Sequence, residues 1–182
     1  MWHWSVPAVL LLLAGSHTTF VPWKSLRPGD EPPKAALVLY WVPASRDDFK
    51  RSELLSSEEL ALYATQCVGM HVIRPEDEER LEALEVESVP AAVLLDGEGR
   101  EVDRVDAVEG ALRTSSVVDM VRDALDDRAS AAEARLDAAR RQAAAGEVEE
   151  AVELYRSVLE QRCMCPRQAK DAQRALKKLG RR

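Results

Sequence analysis

The segment Val86-Glu-Ser-Val-Pro-Ala-Ala-Val-Leu-Leu-Asp-Gly-Glu-Gly-Arg-Glu-Val-Asp-Arg104 constrains the fold more than any other part of the chain. Val89-Pro90 stands directly before the apolar run Ala91 to Leu95, which has the length and character of a buried strand. Asp96-Gly-Glu-Gly99 follows with turn chemistry, because glycine reaches positive φ without a Cβ clash. Glu101 to Val105 then alternates in part and predicts a second strand, giving a hairpin with a proline at its mouth. A proline at the first strand residue removes one ladder donor and leaves neighbouring backbone free to pair elsewhere. X-Pro is also the peptide bond at which the cis form is cheap.

A chain of 182 residues has room for one ordinary domain and an appendage. With 46% hydrophobic and 31% charged residues it has the composition of a soluble globular protein rather than a disordered one. The net charge of −7 is unevenly spread: residues 1–128 carry 24 Asp and Glu against 13 Lys and Arg, whereas 129–182 carry 8 against 12. That asymmetry predicts two differently built parts and argues against nucleic-acid binding by the larger one.

At the N-terminus, Val9-Leu-Leu-Leu-Leu-Ala14 is too short to cross a bilayer, which takes about 20 residues. Ala14-Gly15-Ser16 offers the small residues of a cleavage site, so residues 1–16 are expected to be a signal peptide, although no Lys or Arg precedes the run. Export to a periplasm or the exterior is the expectation, with a cytoplasmic location as the alternative and no stable membrane span after removal of the signal. Residues 17–34 hold Pro22, Pro28, Gly29, Pro32 and Pro33 and predict an extended linker.

Ala35 to Trp41 is a continuous apolar run suited to a central strand covered on both faces. Ser56 with Glu59 three residues later predicts a capping box, with Leu55 stapled on Leu60 and a helix through about Gln66. Val68 to Arg74 predicts another strand, and Pro75-Glu-Asp-Glu-Glu79 opens a helix with carboxylates at the positive end of its dipole. After the hairpin, Ser116 to Leu125 forms an amphipathic helix with Val117, Val121, Ala124 and Leu125 on one face.

Strand, helix, strand, helix, strand, strand, helix is thus the expected order: parallel crossovers, then an antiparallel hairpin. With Val89-Pro90 before the third strand and Asp96-Gly-Glu-Gly99 in the hairpin, about residues 35–127 resemble the thioredoxin-like superfamily. The resemblance implies an α/β fold with a mixed four-stranded sheet flanked by helices, in a domain spanning 35–128. The loop Tyr40 to Lys50 falls where that family carries Cys-x-x-Cys, and the two thiols would correspond to Ser45 and Asp48 or to Ala44 and Asp47. No cysteine precedes Cys67, so thioredoxin-type exchange at this loop lacks both its attacking and its resolving thiolate.

What the resemblance leaves is a groove beside a cis proline, bordered by Trp41, Ser45, Asp48, Val89 and Pro90, in which an extended peptide would pair with the backbone. The competing reading keeps Pro90 for the turn and Trp41 for the core. Asp47-Asp48 on a solvated loop has the character of surface charge rather than an acid–base pair, and a lone His71 in a strand belongs to packing.

Residues 129–182 are expected to form a helical extension. Ala131 to Ala145 and Glu147 to Glu160 are helical in composition with Gly146 as the break. Gly146, Ala151, Tyr155 and Val158 resemble the second helix of a tetratricopeptide repeat, although the first helix lacks the large consensus residues, with Ala138 and Ala139 standing where its Leu-Gly pair would be. A last helix, Arg167 to Leu179, presents Ala169, Ala172, Leu176 and Leu179 on one face. One such repeat cannot bury its faces alone.

The cysteines Cys67, Cys163 and Cys165 are too few for a disulfide framework, and Cys67 is expected to be a small buried residue at a helix end. The leading expectation is a non-redox thioredoxin-like protein, not an enzyme and without cofactor. It would bind another protein or peptide through its helical tail and cis-proline groove, with a homo-oligomer left open. One alternative is a divergent thiol–disulfide oxidoreductase using Cys163 and Cys165. The second is a soft-metal protein holding copper or zinc on the same pair, a donor set poor for either ion.

Overall fold

A computed structural model describes residues 20–31 and 33–180. The expected signal segment, 1–16, lies outside the described residues.

Among the described residues five strands form one mixed sheet in the order β1-β3-β2-β4-β5. They are β1 (Lys24–Ser25), β2 (Leu37–Val42), β3 (Val68–Val72), β4 (Ala91–Asp96) and β5 (Glu101–Asp106). The strands β1 and β2 both pair parallel with β3, while β4 runs antiparallel to β2 and to β5. All six residues of β2 are buried, which is why the sequence shows no alternation there. The Val89–Pro90 peptide is cis, and Pro90 is buried immediately before β4.

The fourfold strand count expected above is corrected to five. Residues 17–34 were expected to be linker, yet Lys24 and Ser25 pair with His71 and Val72, and Val21 and Leu26 on either side are buried. Arg80 holds this segment down: its Nη2 donates to the carbonyls of Arg27 and Asp30, both at 3.0 Å, while its Nε donates to buried Asp77 at 3.1 Å.

Helices α1 (Arg46–Arg51), α2 (Glu58–Ala64) and α3 (Glu78–Ala83) fill the connections. The cap of α2 is Ser57 rather than Ser56: Ser57 Oγ accepts the Leu60 N–H at 3.2 Å and donates to Glu59 Oε2 at 3.1 Å. Pro75 does not start α3, which begins three residues later with Asp77 at its N-cap position.

One sheet face presents Leu37, Leu39, Trp41, Met70 and Leu94 to Leu54, Leu60, Val117 and Val121. The other presents Val38, Tyr40, Val42 and Ile73 to Leu26, Leu81, Leu84 and Val89. The amphipathic stretch around Ser116–Leu125 is only the first third of α4 (Thr114–Ala145), a 32-residue helix that runs unbroken through the expected boundary at 128. Gly146 ends it at φ 86, a left-handed position that glycine occupies without penalty. Two further helices, α5 (Val148–Glu160) and α6 (Pro166–Lys178), fold back on it. Ala132, Leu136, Ala139, Ala151, Val152, Tyr155, Val158, Ala172 and Leu176 extend the core of the first sheet face into this tail without interruption. No helix among the described residues is long and apolar enough to cross a membrane.

Candidate functional site

Val42 pairs with Ala91, so the loop leaving β2 and the cis proline entering β4 lie at the same end of the sheet. There the fold brings together most of the residues expected at a peptide groove. Ser45 is the N-cap of α1: its Oγ accepts the Asp48 N–H at 3.1 Å, and Asp48 Oδ2 accepts the Ala44 N–H at 2.9 Å. Ser45 and Asp48, one of the two registers in which the resemblance would set the thiols, thus hold the start of α1, and Ser45 Oγ satisfies a helix donor that would otherwise be open. Val89 is half-buried against the second sheet face.

Trp41 sits elsewhere. At 1% exposure it lies beneath the loop, its ring 5.3 Å from that of Trp23 and stacked on Phe49 at 5.2 Å. It supports the site from the core and offers no surface to a ligand. Asp47 is exposed and lies 3.9 Å from Lys50, the surface role expected of it. His71 is buried beside Tyr40 on the second sheet face. Burial, then the charges of Lys24 and Arg80, hold its imidazole below the ordinary value, and its Nδ1 has no hydrogen-bond partner.

At this end a cleft of about 730 Å³ opens on the side away from Pro90, within the range of roughly 300–1,000 Å³ typical of ligand sites. Trp23, Pro28, Pro43, Phe49, Val72 and Pro75 give it an apolar surface, and Arg46 and Arg74 bring charge to it. It lies outside the carboxyl ends of the parallel strands, where open α/β sheets tend to place ligands. Trp23, Ser25 and Pro28 were missed by sequence reasoning because β1 shows no hydrophobic periodicity. Arg74, at the end of an expected strand, carried no signal that distinguished it from other surface arginines.

The placement and pairing of Cys67 depart from expectation. Cys67 and Cys163 form a disulfide across 96 residues of sequence, with Cα atoms 5.8 Å apart. Cys67 is exposed, not buried, at the turn between α2 and β3, with φ 61. Cys163 lies between α5 and α6, so the bond ties the sheet to the tail. Cys165 is left as a buried thiol whose pKa is raised by burial. A Cys163–Cys165 redox pair is accordingly corrected, because Cys163 already has another partner. The same bond removes the dithiolate on which soft-metal binding would depend. Among the described residues no group of three or more His, Cys, Asp or Glu is arranged to hold a metal ion.

No protein-family model matches the chain, and no curated protein does. Ten solved chains show structural similarity. One is a DsbH oxidoreductase, with 19% sequence identity and a TM-score of 0.36, aligned over 48% of this chain and 74% of that one. The described residues themselves form a five-stranded mixed sheet with flanking helices.

Proposed function

We propose that this chain is a non-redox thioredoxin-like protein that binds another protein or peptide, using its helical tail and the groove beside Pro90. The observation that carries this reading is the cap at Ser45 and Asp48: both side chains are engaged in holding α1, and neither can form a disulfide. The tail supports a tetratricopeptide-like reading, since α4, α5 and α6 pack through small residues at Ala139, Ala151 and Ala172. A disulfide between exposed Cys67 and half-buried Cys163 fits an oxidising compartment, which supports export.

A second reading, thiol–disulfide exchange through Cys67 and Cys163, draws on the exposure of Cys67. Insulin reduction in the presence of dithiothreitol separates the two. The expected result is a rate equal to that of reductant alone. Acceleration that disappears in Cys67→Ser/Cys163→Ser would overturn the non-redox reading. Amide shift mapping with carboxymethylated, thiol-free unfolded lactalbumin tests the groove. Shifts are expected at Val89, Ala91 and the Ala44–Asp48 amides, and unchanged positions there would remove the groove from the proposal.

A further inference from the structure

The cleft described above shares Ser45 with the cis-proline groove but neither Val89 nor Pro90 lines it. Its walls come from three separate segments: Trp23 to Pro28, Pro43 to Phe49, and Val72 to Asp77. They are held in place before any ligand arrives. Trp23 Nε1 donates to the Leu54 carbonyl at 2.8 Å, and Arg80, anchored on Asp77, clamps the strap through its two hydrogen bonds to the Arg27 and Asp30 carbonyls. Such preorganisation lowers the ordering cost of binding.

Its charges are unbalanced. Arg46 and Arg74 are both exposed, and neither guanidinium has an ion-pair or hydrogen-bond partner among the described residues. Of the two lining carboxylates, Asp77 is already paired with Arg80 at 3.1 Å, which leaves Glu76 alone against two arginines. This is a cationic spot on a chain of net charge −7. A guanidinium presents a planar fork that matches a carboxylate. Beside the arginines lies the apolar surface of Trp23, Phe49 and Val72, suited to an aromatic or aliphatic side chain. The cleft also reaches the sheet edge, because Ser25 lines it and β1 is the terminal strand. Among the described residues β1 has no outer neighbour, and such an edge offers its backbone to another extended chain.

We propose that this cleft is a binding site for an extended acidic peptide, with a carboxylate between Arg46 and Arg74 and an adjoining apolar side chain on Trp23 and Phe49. It does not depend on the Pro90 groove, and either site can fail without the other.

Fluorescence anisotropy tests it with the disulfide-bonded protein. The probe is an amidated, fluorescein-labelled Gly-Phe-Glu-Glu-Phe-Gly, and Gly-Phe-Gln-Gln-Phe-Gly serves as its neutral match. The acidic probe is expected to bind about tenfold or more tightly than the neutral one and to weaken with added salt. Arg46→Ala/Arg74→Ala is expected to weaken acidic-probe binding by about tenfold or more, while Lys178→Ala, on α6, leaves it unchanged. Both arginines are exposed, and an unchanged melting temperature confirms that the double variant is folded. Absence of binding up to about 1 mM, equal binding of the two probes, or undiminished binding by the double variant would each overturn the proposal.

Discussion

Removing the Cys67–Cys163 bond tests how the two parts of the molecule are joined. The bond closes a loop with a sequence separation of 96, and in the chain-entropy description such a cross-link restricts the unfolded chain by about 4.7 kcal/mol. Native disulfides removed from real proteins cost roughly 2–5 kcal/mol, so that figure sits at the upper end. In the folded state α5 and α6 also pack on α4, so the tail is held by more than the bond. For a chain of this size, each kcal/mol moves the midpoint by roughly 2–4 °C, so Cys67→Ser/Cys163→Ser should melt roughly 5–20 °C below the oxidised protein. Replacing both cysteines avoids leaving one reactive thiol. Calorimetry or circular dichroism reads the midpoint, and the reduced wild-type protein should fall with the double variant. Thiol titration adds a second readout: the oxidised protein should show one reactive thiol, Cys165, and only after unfolding. A midpoint unchanged by the double substitution, or a peptide map joining Cys67 to Cys165, would refute the reasoning.

Trp41→Ala should destabilise the protein by about 3–5 kcal/mol in urea denaturation, since it empties a buried site between Trp23 and Phe49; a loss under about 1 kcal/mol would contradict the placement of that ring in the core. His71 gives stability a pH dependence: with its folded pKa below the ordinary 6.5, the unfolded chain binds the extra proton. Its contribution is therefore complete above pH 6.5 and is lost as the pH falls below that value. His71→Gln should flatten the stability profile between about pH 5 and 7, and a slope that persists would assign the effect to other groups.

The central architecture was legible because it is written in local chemistry. Val89-Pro90, the apolar Ala91–Leu95 run and the glycine-bearing turn place β4 and β5 almost residue for residue. The run ending at Trp41 likewise marks β2, and Gly146 marks the end of α4. Other features depend on contacts that no local window contains. Lys24 and Ser25 are both exposed and form a strand only because the edge of β3 is there to pair with. The cap of α2 was misplaced by one residue because two serines are adjacent and both can accept. The boundary expected near residue 128 rested on a change of composition, but Asp126-Asp-Arg-Ala-Ser130 contains no helix breaker and α4 continues through it. The candidate site was half legible. Ser45 and Asp48 could be located by resemblance, whereas their mutual cap depends on loop geometry, and the neighbouring cleft draws on three segments far apart in sequence.

The unbroken α4 changes what the tail can do for a partner. At 1.5 Å per residue, its 32 residues extend about 48 Å, with one portion seated on the sheet and the remainder serving as the first tail helix. A flexible tether would let a bound molecule swing; a shared helix, pinned at a second point by a covalent bond, acts as a bracket. A molecule bound on α5 or α6, as proposed, would be held against the sheet by that bracket. Excising residues 35–128 would cut through that bracket rather than between two modules.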